Sequence, residues 1–538
     1  TQVDDPYMIG DDDDSSDEEK IYQANTRLVE HPKIFRPLIK PIMENPPIIE
    51  NQFLEPEKPP EPRIAINVPL DRPEGIDEIR SNLPIIGEEQ NIVEMIHEND
   101  VVIVCGETGS GKTTQIPQFL YEAGYGTLRT HGKIAITEPR RVAAINMSKR
   151  VAYEMGLPWG QKVGYQIRNN KFYTESTIIK FCTDGILLRE AEDDLLLSKY
   201  SVIIIDEAHE RTVNTDVLIG LLSKIVKYRR KKILEGNINI EPLKFIIMSA
   251  TLQVDDFLND RLFDEMPPVI NIPTRQFPID VHFSKTTPLP EERLDSVKHC
   301  VEMIHERTRS GGILVFLPTK NEINECVSYF RSHYPRTLDP DDQTKKSKSK
   351  PVQPPPADER VEIEDIDEIM NITQKVEILD KKPMNVLPLY ALLPQEEQEK
   401  VFQPQNKDIR LVVFSTNIAE TSITIPNIKY VVDLGVEKCR EYDQLSGIIK
   451  SRVDYISKAS AEQRKGRAGR TGPGHCFRLY STGFYSNQFK EFTKPEIQRK
   501  PINEVVLLLK TMGLNDISMF PFPTLISESS LEKAEMEL

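Results

Sequence analysis

With 538 residues, of which 38% are hydrophobic and 28% charged, the chain has the composition of a soluble globular protein of about two to four domains. No apolar run approaches the ~18 residues of a membrane span, and the first residues do not resemble a signal peptide, so we expect no membrane partner. The six cysteines are scattered without a C-x-x-C pair, which indicates reduced thiols in a cytosolic or nuclear compartment.

Charge is unevenly distributed along the chain. The net charge is −16, and residues 1–84, with 9 Lys/Arg and 19 Asp/Glu, carry −10 of it. The other 454 residues therefore carry only −6. Because an acidic protein can still have a basic groove, this charge does not exclude a nucleic-acid partner.

Residues 1–84 form an acidic, proline-rich N-terminal arm that we expect to be largely extended or disordered. The arm contains the block DDDDSSDEE near its start and a proline-rich stretch at 41–73. A solvated tail is the favoured interpretation of the acidic block, and an interaction tail is the alternative.

Residues 85–272 alternate short apolar strands with helices, which is typical of a doubly wound α/β domain. Ligand sites in such domains lie at the carboxyl ends of the strands. The predicted strands are Val101–Cys105, Lys133–Thr137, Ile178–Cys182, Val202–Asp206 and Phe245–Ser249.

Residues 273–480 repeat this alternation and predict a second α/β domain. The stretch 336–382 interrupts it with Lys/Ser, Pro and acidic runs, which indicates a disordered insertion. Residues 481–538 are helical in pattern and stop within a charged helix, which indicates a further domain that is truncated. The predicted strands of the second domain are Ile313–Leu317, Val386–Tyr390, Leu411–Ser415, Tyr430–Asp433 and Cys476–Tyr480.

The first strand leads directly into GETGSGKT, which fits the phosphate-loop pattern G-x-x-x-x-G-K-T. Glycines let the loop wrap closely with its amides facing a phosphate, and the N-terminus of the following helix adds a favourable partial charge. Lys112 is expected to reach the β and γ phosphates of ATP, and the Thr113 hydroxyl to bind Mg²⁺. The predicted nucleotide contacts are Gly106, Glu107, Thr108, Gly109, Ser110, Gly111, Lys112, Thr113 and Thr114.

Two carboxylates, Asp206 and Glu207, stand at the end of a later strand in IIIDEAHER. Paired carboxylates suit two tasks: Asp206 can hold Mg²⁺ through water, and Glu207 can orient and deprotonate the attacking water. Both are therefore candidate metal-site residues, although a solvated acidic turn is the alternative for the motif alone. The sequence Ser249-Ala250-Thr251 stands at the end of another predicted strand. The tripeptide alone indicates no function, and it is a candidate functional element because of this position.

The motif QRKGRAGRTGPG carries Arg464, Arg467 and Arg470 at a spacing of three, which predicts that they point to one side of a helical turn. Arg467 and Arg470 are candidate arginine fingers that neutralise charge on the γ phosphate, and a basic RNA-binding patch is the alternative. Because these fingers belong to the second domain, hydrolysis should depend on domain closure. An open cleft should hold them far from the phosphate when RNA is absent.

The ordered motifs GETGSGKT, TEPRRVAA, TDG, DEAH, SAT, STNIAETS and QRKGRAGR resemble those of the DEAH-box helicases of superfamily 2. The resemblance implies two tandem RecA-like domains with parallel sheets that clamp ATP and move single-stranded RNA in the 3′-to-5′ direction. It also implies that residues 481–538 are the start of a winged-helix domain, and that the ratchet-like and OB-fold domains of the family are missing.

The resemblance also implies roles for particular side chains. His209 and Gln463 would couple the two domains, and Ser249, Thr251 and Ser422 would link hydrolysis to movement. Arg150 and Phe402 would stack on the two faces of the purine, and residues 434–453 would form the strand-separating β-hairpin. Pro426 departs from an acidic nucleotide contact that several family members have. The expected RNA contacts are Arg140, Arg141, Thr183, Gly185, Thr416, Asn417 and Thr421.

The stretches MSATLQVDDF, RQFPIDVHF and GPGHCFRLYS, among others, make the chain most similar, within the family, to the branch of small-subunit ribosome biogenesis. This resemblance implies a nucleolar enzyme that displaces a small nucleolar RNA from pre-ribosomal RNA, with pre-ribosomal proteins and an activating protein as partners. Three alternatives remain open: a spliceosomal DEAH helicase, an assembly factor whose ATPase times release without unwinding, and a DNA translocase. The choice between RNA and DNA would depend on contacts to ribose hydroxyls.

Overall fold

The computed structural model describes residues 66–237, 240–251, 254–273, 277–308, 311–335, 383–403, 409–421, 425–443, 448–470 and 472–538. Three predictions lie outside or largely outside these residues: the N-terminal arm up to residue 65, the insertion at 336–382, and the role of Ser422. None of the helices in the described ranges combines the length and apolar character that crossing a lipid bilayer requires.

Eight strands form the first sheet in the order β4-β3-β5-β2-β6-β7-β1-β8, and every pairing except β3 with β4 is parallel. The central strands are buried on both faces, as expected for apolar parallel strands between layers of helices. All five predicted strands of this domain are confirmed to within two residues. The strands are β1 Val101–Cys105, β2 Lys133–Thr137, β3 Val163–Ile167, β4 Asn170–Phe172, β5 Ile179–Cys182, β6 Tyr200–Ile205, β7 Lys244–Ser249 and β8 Val269–Asn271.

Helices cover both faces of the first sheet and bury two separate apolar clusters. On one face, α3 and α4 contribute residues such as Phe119 and Val151, and on the other, α5 and α6 contribute residues such as Leu187 and Leu218. The helices are α1 Ile76–Ser81, α2 Glu89–Glu98, α3 Lys112–Glu122, α4 Arg141–Glu154, α5 Asp184–Asp193 and α6 Val213–Leu234.

The second sheet has six parallel strands in the order β11-β12-β10-β13-β16-β9, and β14 and β15 form a separate antiparallel hairpin. All five predicted strands of this domain are confirmed to within two residues. The fold class of two tandem RecA-like domains with parallel sheets is therefore confirmed. The strands are β9 Ile279–Phe283, β10 Gly312–Phe316, β11 Met384–Leu389, β12 Arg410–Ser415, β13 Ile428–Asp433, β14 Val436–Asp443, β15 Ile448–Tyr455 and β16 Gly474–Arg478.

The segment after the second sheet returns to the first domain. Apolar residues between 497 and 534 join the cluster that α6 buries, and a Cβ added at Gly220 of α6 would lie 2.6 Å from the Phe520 ring. The structure describes all of residues 481–538 and places helices but no strand there, so the winged-helix assignment stays a prediction. The remaining helices are α7 Arg293–Arg307, α8 Lys320–His333, α9 Gln395–Glu399, α10 Lys458–Lys465, α11 Thr482–Gln488, α12 Asn503–Thr511 and α13 Glu528–Glu537.

Arg464 is a structural residue of the second domain, so its place in a basic RNA-binding patch is excluded. Its side chain is 1% exposed, and Nε and Nη1 donate to Glu420 Oε2 and Asp433 Oδ1, each at 2.9 Å. We expect Arg464→Ala to lower the free energy of unfolding of this domain by ~3–5 kcal/mol, because two carboxylates stay buried without their cation. Urea unfolding followed by circular dichroism measures this loss.

The matched control is Arg452→Ala, which breaks an exposed ion pair with Glu441 at 3.0 Å. Exposed pairs contribute ~0–1 kcal/mol, so this variant should unfold close to wild type. Equal losses for the two variants would contradict the structural role of Arg464.

Candidate active site between the two sheets

The sheet topology brings the sequence motifs of the first domain to one edge. Strand β1, which leads into the phosphate loop, pairs with β7, and β7 pairs with β6, which ends just before Asp206. Because these strands are parallel, their carboxyl ends lie side by side. The phosphate loop, the turn after β7 and the two carboxylates therefore meet at one place.

The phosphate loop has the conformation that its glycines predict. Gly109 and Gly111 have φ of 97° and 101°, which L side chains rarely adopt. Lys112 Nζ donates to the carbonyl oxygens of Gly106 and of Glu107, the latter at 3.1 Å. Ser110 Oγ is buried and has no hydrogen-bond partner within the described ranges. This loop therefore offers backbone amides, a buried ammonium group and a hydroxyl to a phosphate chain.

Asp206 and Glu207 lie directly beside this loop. The Thr113 hydroxyl donates to Asp206 Oδ2, and the Glu207 backbone N–H donates to Asp206 Oδ1 at 2.7 Å. Burial, and then the negative charge of Glu207, raise the pKa of Asp206 to about 7. Glu207 is 6% exposed and has φ of 52°, a strained conformation that is common at active sites.

A hydroxyl and a carboxylate are the oxygen ligands that Mg²⁺ prefers, and Mg²⁺ usually completes its coordination with waters and substrate phosphates. Thr113 and Asp206 fit this donor set, and Glu207 is adjacent to it. In the described part of the chain, no three His, Cys, Asp or Glu side chains are grouped so as to hold a metal ion by themselves.

His209 connects Glu207 to the turn after β7. Its Nδ1 accepts the backbone N–H of Ala250 at 3.1 Å, so the ring proton resides on Nε2, which lies 3.5 Å from Glu207 Oε2. Burial lowers the pKa of His209, which favours the neutral ring. In the same turn, Ser249 Oγ donates to the Thr251 carbonyl at 2.9 Å. A movement of this turn would therefore shift the Glu207 carboxylate through the His209 side chain.

Two arginines of the second domain face the phosphate loop of the first. Arg467 Nη2 donates to Thr108 Oγ1 at 2.7 Å, and Arg470 Nε lies 3.9 Å from the position of a Cβ built on Gly109. The prediction of an open cleft, with these side chains far from the loop, is wrong for this structure. Burial, and then the like charge of Arg470, lower the pKa of Arg467, and burial lowers that of Arg470 to about 10.

The three arginines do not share one side of a helical turn, so that prediction is also wrong. Helix α10 ends at Lys465, and residues 466–469 form a turn. Arg464 therefore points into its own domain, whereas Arg467 reaches the first domain. Gln463, in the last turns of α10, is half-buried, and its backbone carbonyl accepts a hydrogen bond from Arg467 Nε at 3.3 Å.

A cavity of about 760 Å³ lies between the domains, beside the nucleotide motifs. Arg140, Asn417 and Thr421 of the expected RNA contacts line it, as do His209, Thr251 and Gln463. Arg141, Thr183, Gly185 and Thr416 are not among its lining residues. Thr183 directly precedes α5, Gly185 is an exposed residue in the first turn of that helix, and Thr416 follows β12.

Glu210 bridges the two domains inside this cavity, and the sequence did not predict this role. Its Oε1 accepts hydrogen bonds from Arg140 Nε at 3.2 Å and from the hydroxyl of Thr421 in the second domain, and Arg140 Nη2 lies 3.1 Å from the same oxygen. Arg140 Nη1 also donates to the Asn417 carbonyl at 3.0 Å. The expected RNA contacts of both domains are therefore connected to each other through one carboxylate and one guanidinium group.

A second carboxyl that the sequence did not single out is Glu138, which follows β2 and is 1% exposed. Burial, and then the charges of Asp206 and Glu207, raise its pKa well above the usual range. The signal that could have found it is its place directly after a buried strand, beside the end of β6.

The two residues expected to stack on the base lie on different domains. Arg150 is on α4 with a 44% exposed side chain, and Phe402 is half-buried against an apolar cluster of the second domain. The expected hairpin is present as β14 and β15, which carry Lys438, Arg440, Lys450 and Arg452.

Comparison with known proteins gives two family matches. The model for the DEAD/DEAH box helicase matches residues 88–258, and the model for the helicase conserved C-terminal domain matches residues 361–472. These matches cover the phosphate loop, both carboxylates and the two arginines that face the loop.

Three relatives are similar over most of the chain. "Probable ATP-dependent RNA helicase DHR1" of Saccharomyces cerevisiae is 45% identical over 88% of the chain, which covers 40% of that protein. "Probable ATP-dependent RNA helicase DHX37" of Homo sapiens is 44% identical over 89% of the chain, which covers 44% of it. "Pre-mRNA-splicing factor ATP-dependent RNA helicase DEAH10" of Arabidopsis thaliana is 39% identical over 89% of the chain, which covers 64% of it. The chain thus spans less than half the length of the first two.

Proposed function

The chain belongs to the DEAD/DEAH-box helicases, and on that premise we propose that it is an RNA helicase that couples ATP hydrolysis to 3′-to-5′ movement on single-stranded RNA. The observation that carries this proposal is the contact of Arg467 in the second domain with Thr108 in the phosphate loop of the first. This contact makes the nucleotide site a property of both domains, so hydrolysis can change their relative position.

In this proposal, residues 85–272 and 273–480 are the two helicase domains and residues 481–538 begin a winged-helix domain. Lys112 contacts the phosphates of ATP, and Arg467 and Arg470 neutralise the charge that develops on the γ phosphate in the transition state. Thr113 and Asp206 would hold Mg²⁺, which would neutralise charge on the phosphates. Glu207 orients the attacking water and takes its proton, and His209 keeps the carboxylate in place through its Nε2. Arg150 and Phe402 hold the base by stacking, which favours no particular purine.

RNA occupies the cavity between the domains and contacts Arg140, Asn417 and Thr421 there. An RNA phosphate at Arg140 would replace part of the bridge that Arg140, Glu210 and Thr421 now form. RNA binding and the contact between the domains are therefore linked, and by linkage the effect of one on the other is reciprocal.

We further propose a nucleolar role in small-subunit ribosome biogenesis, in which the enzyme displaces a small nucleolar RNA from pre-ribosomal RNA with an activating protein. The resemblance of the sequence to that branch supports this role. The relative named as a pre-mRNA-splicing factor is less similar to the chain, at 39% identity, than the two relatives at 44% and 45%. Sequencing of the RNA crosslinked to the protein in cells distinguishes the two.

We expect single-stranded RNA to stimulate ATP hydrolysis, because RNA favours the arrangement of the domains to which it binds better. Phosphate release is measured during titration with RNA. RNA affinity is measured with and without a nonhydrolysable ATP analogue and should differ between the two. Contacts to the RNA backbone should also make the affinity fall with salt.

Arg140→Ala should lose the stimulation and keep RNA-independent hydrolysis. Arg331→Ala, a change on α8 where the side chain is exposed and bonds to the Val386 carbonyl, should keep both. If the full protein with its partner shows no stimulation and no nucleotide effect on RNA binding, the assembly-factor alternative replaces this proposal. Strand displacement on 3′-tailed RNA and DNA duplexes separates a helicase from an assembly factor and from a DNA translocase.

A further inference from the structure

Glu154, the last residue of α4, is a buried carboxylate that no motif of the chain includes. It is 2% exposed. Three side chains donate to its two carboxylate oxygens: Arg150 Nε at 2.5 Å, Gln115 Nε2 at 2.8 Å and Gln118 Nε2 at 2.7 Å. A buried carboxylate is tolerated only when it is hydrogen-bonded in this way, so the arrangement has a defined geometry.

Two of these donors lie on α3, the helix that begins at Lys112 in the phosphate loop. Gln115 is one turn into this helix, and its Nε2 also donates to Thr114 Oγ1 at 3.0 Å. A continuous chain of hydrogen bonds therefore runs from Arg150 through Glu154 and Gln115 to Thr114. The exposed guanidinium group is held at a fixed position relative to the loop that binds the phosphates.

The segment before the first helicase domain closes over the same network. Arg72 Nη1 donates to the Glu154 carbonyl at 3.0 Å and to Gln118 Oε1 at 2.5 Å, and Nη2 donates to Glu122 Oε1 at 2.9 Å. Arg80 Nε donates to Gln115 Oε1 at 2.8 Å. The Arg72 side chain is only 6% exposed. The segment therefore fastens α3 to the end of α4, the two helices that Glu154 joins.

The backbone of this segment lies so close to α4 that a side chain would not fit between them. A Cβ built on Gly156, just after α4, would lie 1.9 Å from the carbonyl oxygen of Asp71, and Gly156 has φ of 64°. The Val68 N–H also donates to the Glu122 carbonyl at 2.8 Å. This close packing gives Arg72 its fixed position over Glu154.

We propose that Glu154 is a positioning residue for the nucleotide base, and that Arg72 fixes it in place. The Glu154 carboxylate accepts a hydrogen bond from Arg150 Nε at the edge of the guanidinium group, so that the planar face of this group stays available to stack on the base. Because Glu154 is also bonded to Gln115 and Gln118, the distance between the base site and the phosphate loop is set by this one carboxylate. The inference rests on the proposed function, since it requires that Arg150 contacts the base.

The test compares ADP with inorganic tripolyphosphate, which has a phosphate chain and no base, each in the presence of Mg²⁺. Glu154→Gln keeps the size of the side chain but loses its charge-assisted hydrogen bond to Arg150. We expect the affinity for ADP, measured by calorimetry on the full chain, to fall about tenfold and that for tripolyphosphate to stay within twofold. The KM for ATP should rise with little change in kcat, since ground-state binding is what is lost.

Two further variants keep the test decisive if Glu154→Gln proves unstable. Arg150→Ala changes an exposed side chain and should give the same loss for ADP alone, and the double variant should lose no more than either single one. Arg72→Met should give a smaller loss in the same direction. The matched control is Glu235→Gln. Glu235 forms an i,i+4 ion pair with Lys231, as Glu154 does with Arg150, but on the exposed surface of the first domain. This change should alter the affinity for neither ligand.

An equal loss for ADP and tripolyphosphate would mean that Glu154 supports the whole phosphate loop, and would overturn the inference. Additive losses in the double variant would also overturn it, because they would show that Glu154 does not act through Arg150. A wild-type protein that binds neither ligand would instead refute the proposed function itself.

Discussion

Replacing Glu207 with glutamine is expected to lower kcat for ATP hydrolysis by a factor on the order of 10² or more, and to leave ATP affinity near that of wild type. The amide cannot take a proton from water, but it has nearly the same shape. The Glu207 backbone has a left-handed conformation, and its N–H donates a hydrogen bond to the Asp206 carboxylate. The buried His209 Nε2 lies 3.5 Å from the Glu207 carboxylate. Such fixed geometry is what a general base requires.

Phosphate release at saturating ATP, with and without RNA, measures this effect, and calorimetry with a nonhydrolysable ATP analogue measures binding. Glu235→Gln is the control, because this exposed glutamate stands just after α6, the helix that follows the motif. Turnover of the Glu207→Gln protein within a few-fold of wild type would remove Glu207 from the role of base. The residue would then only help to hold Asp206.

The strands that carry the motifs were predictable because they are central in their sheets. A central parallel strand is buried on both faces and becomes an unbroken apolar run, as VVIVC does at β1. Strands near the edges gave no such signal. The three residues of β4 are all exposed, and β9, at the edge of its sheet, has one exposed residue and four that are only half-buried. Their pairing is decided by neighbours distant in sequence.

The spacing of Arg464, Arg467 and Arg470 predicted one shared side of a helical turn, and this prediction was wrong for a physical reason. A repeat of three is close to the helical period, but Gly466 and Gly469 follow the helix end and favour a turn instead. The turn sends Arg467 across the cleft while Arg464 stays buried between Glu420 and Asp433. A spacing alone cannot distinguish these outcomes, because the carboxylates that bury Arg464 are 31 and 44 residues away.

Partners that are distant in sequence also explain why the roles of Glu154, Arg72 and Glu210 could not be predicted from the sequence. Arg72 and Glu154 are 82 residues apart, and Glu210 and Thr421 are 211 apart. Each residue has an ordinary local setting, in which a charged side chain at a helix end or after a strand is normally solvated. Only the packing of distant segments makes these groups buried partners.

Replacing Arg470 with alanine is expected to abolish ATP hydrolysis while ATP affinity stays within about tenfold of wild type, because a finger acts mainly on the transition state. Arg470 belongs to the second domain, yet its Nε lies 3.9 Å from the position of a Cβ on Gly109 in the phosphate loop. Burial lowers its pKa only to about 10, so the group remains charged at neutral pH. It can therefore neutralise charge that develops on the γ phosphate.

The measurements are phosphate release in single-turnover conditions and binding of a nonhydrolysable ATP analogue. Arg331→Ala supplies the control, since it removes the same side chain from an exposed position of the same domain. If affinity and turnover fell together in the Arg470→Ala protein, Arg470 would be a ground-state ligand of the phosphates. The side chain of the second domain that acts in the transition state would then be Arg467, which donates to Thr108 of the phosphate loop.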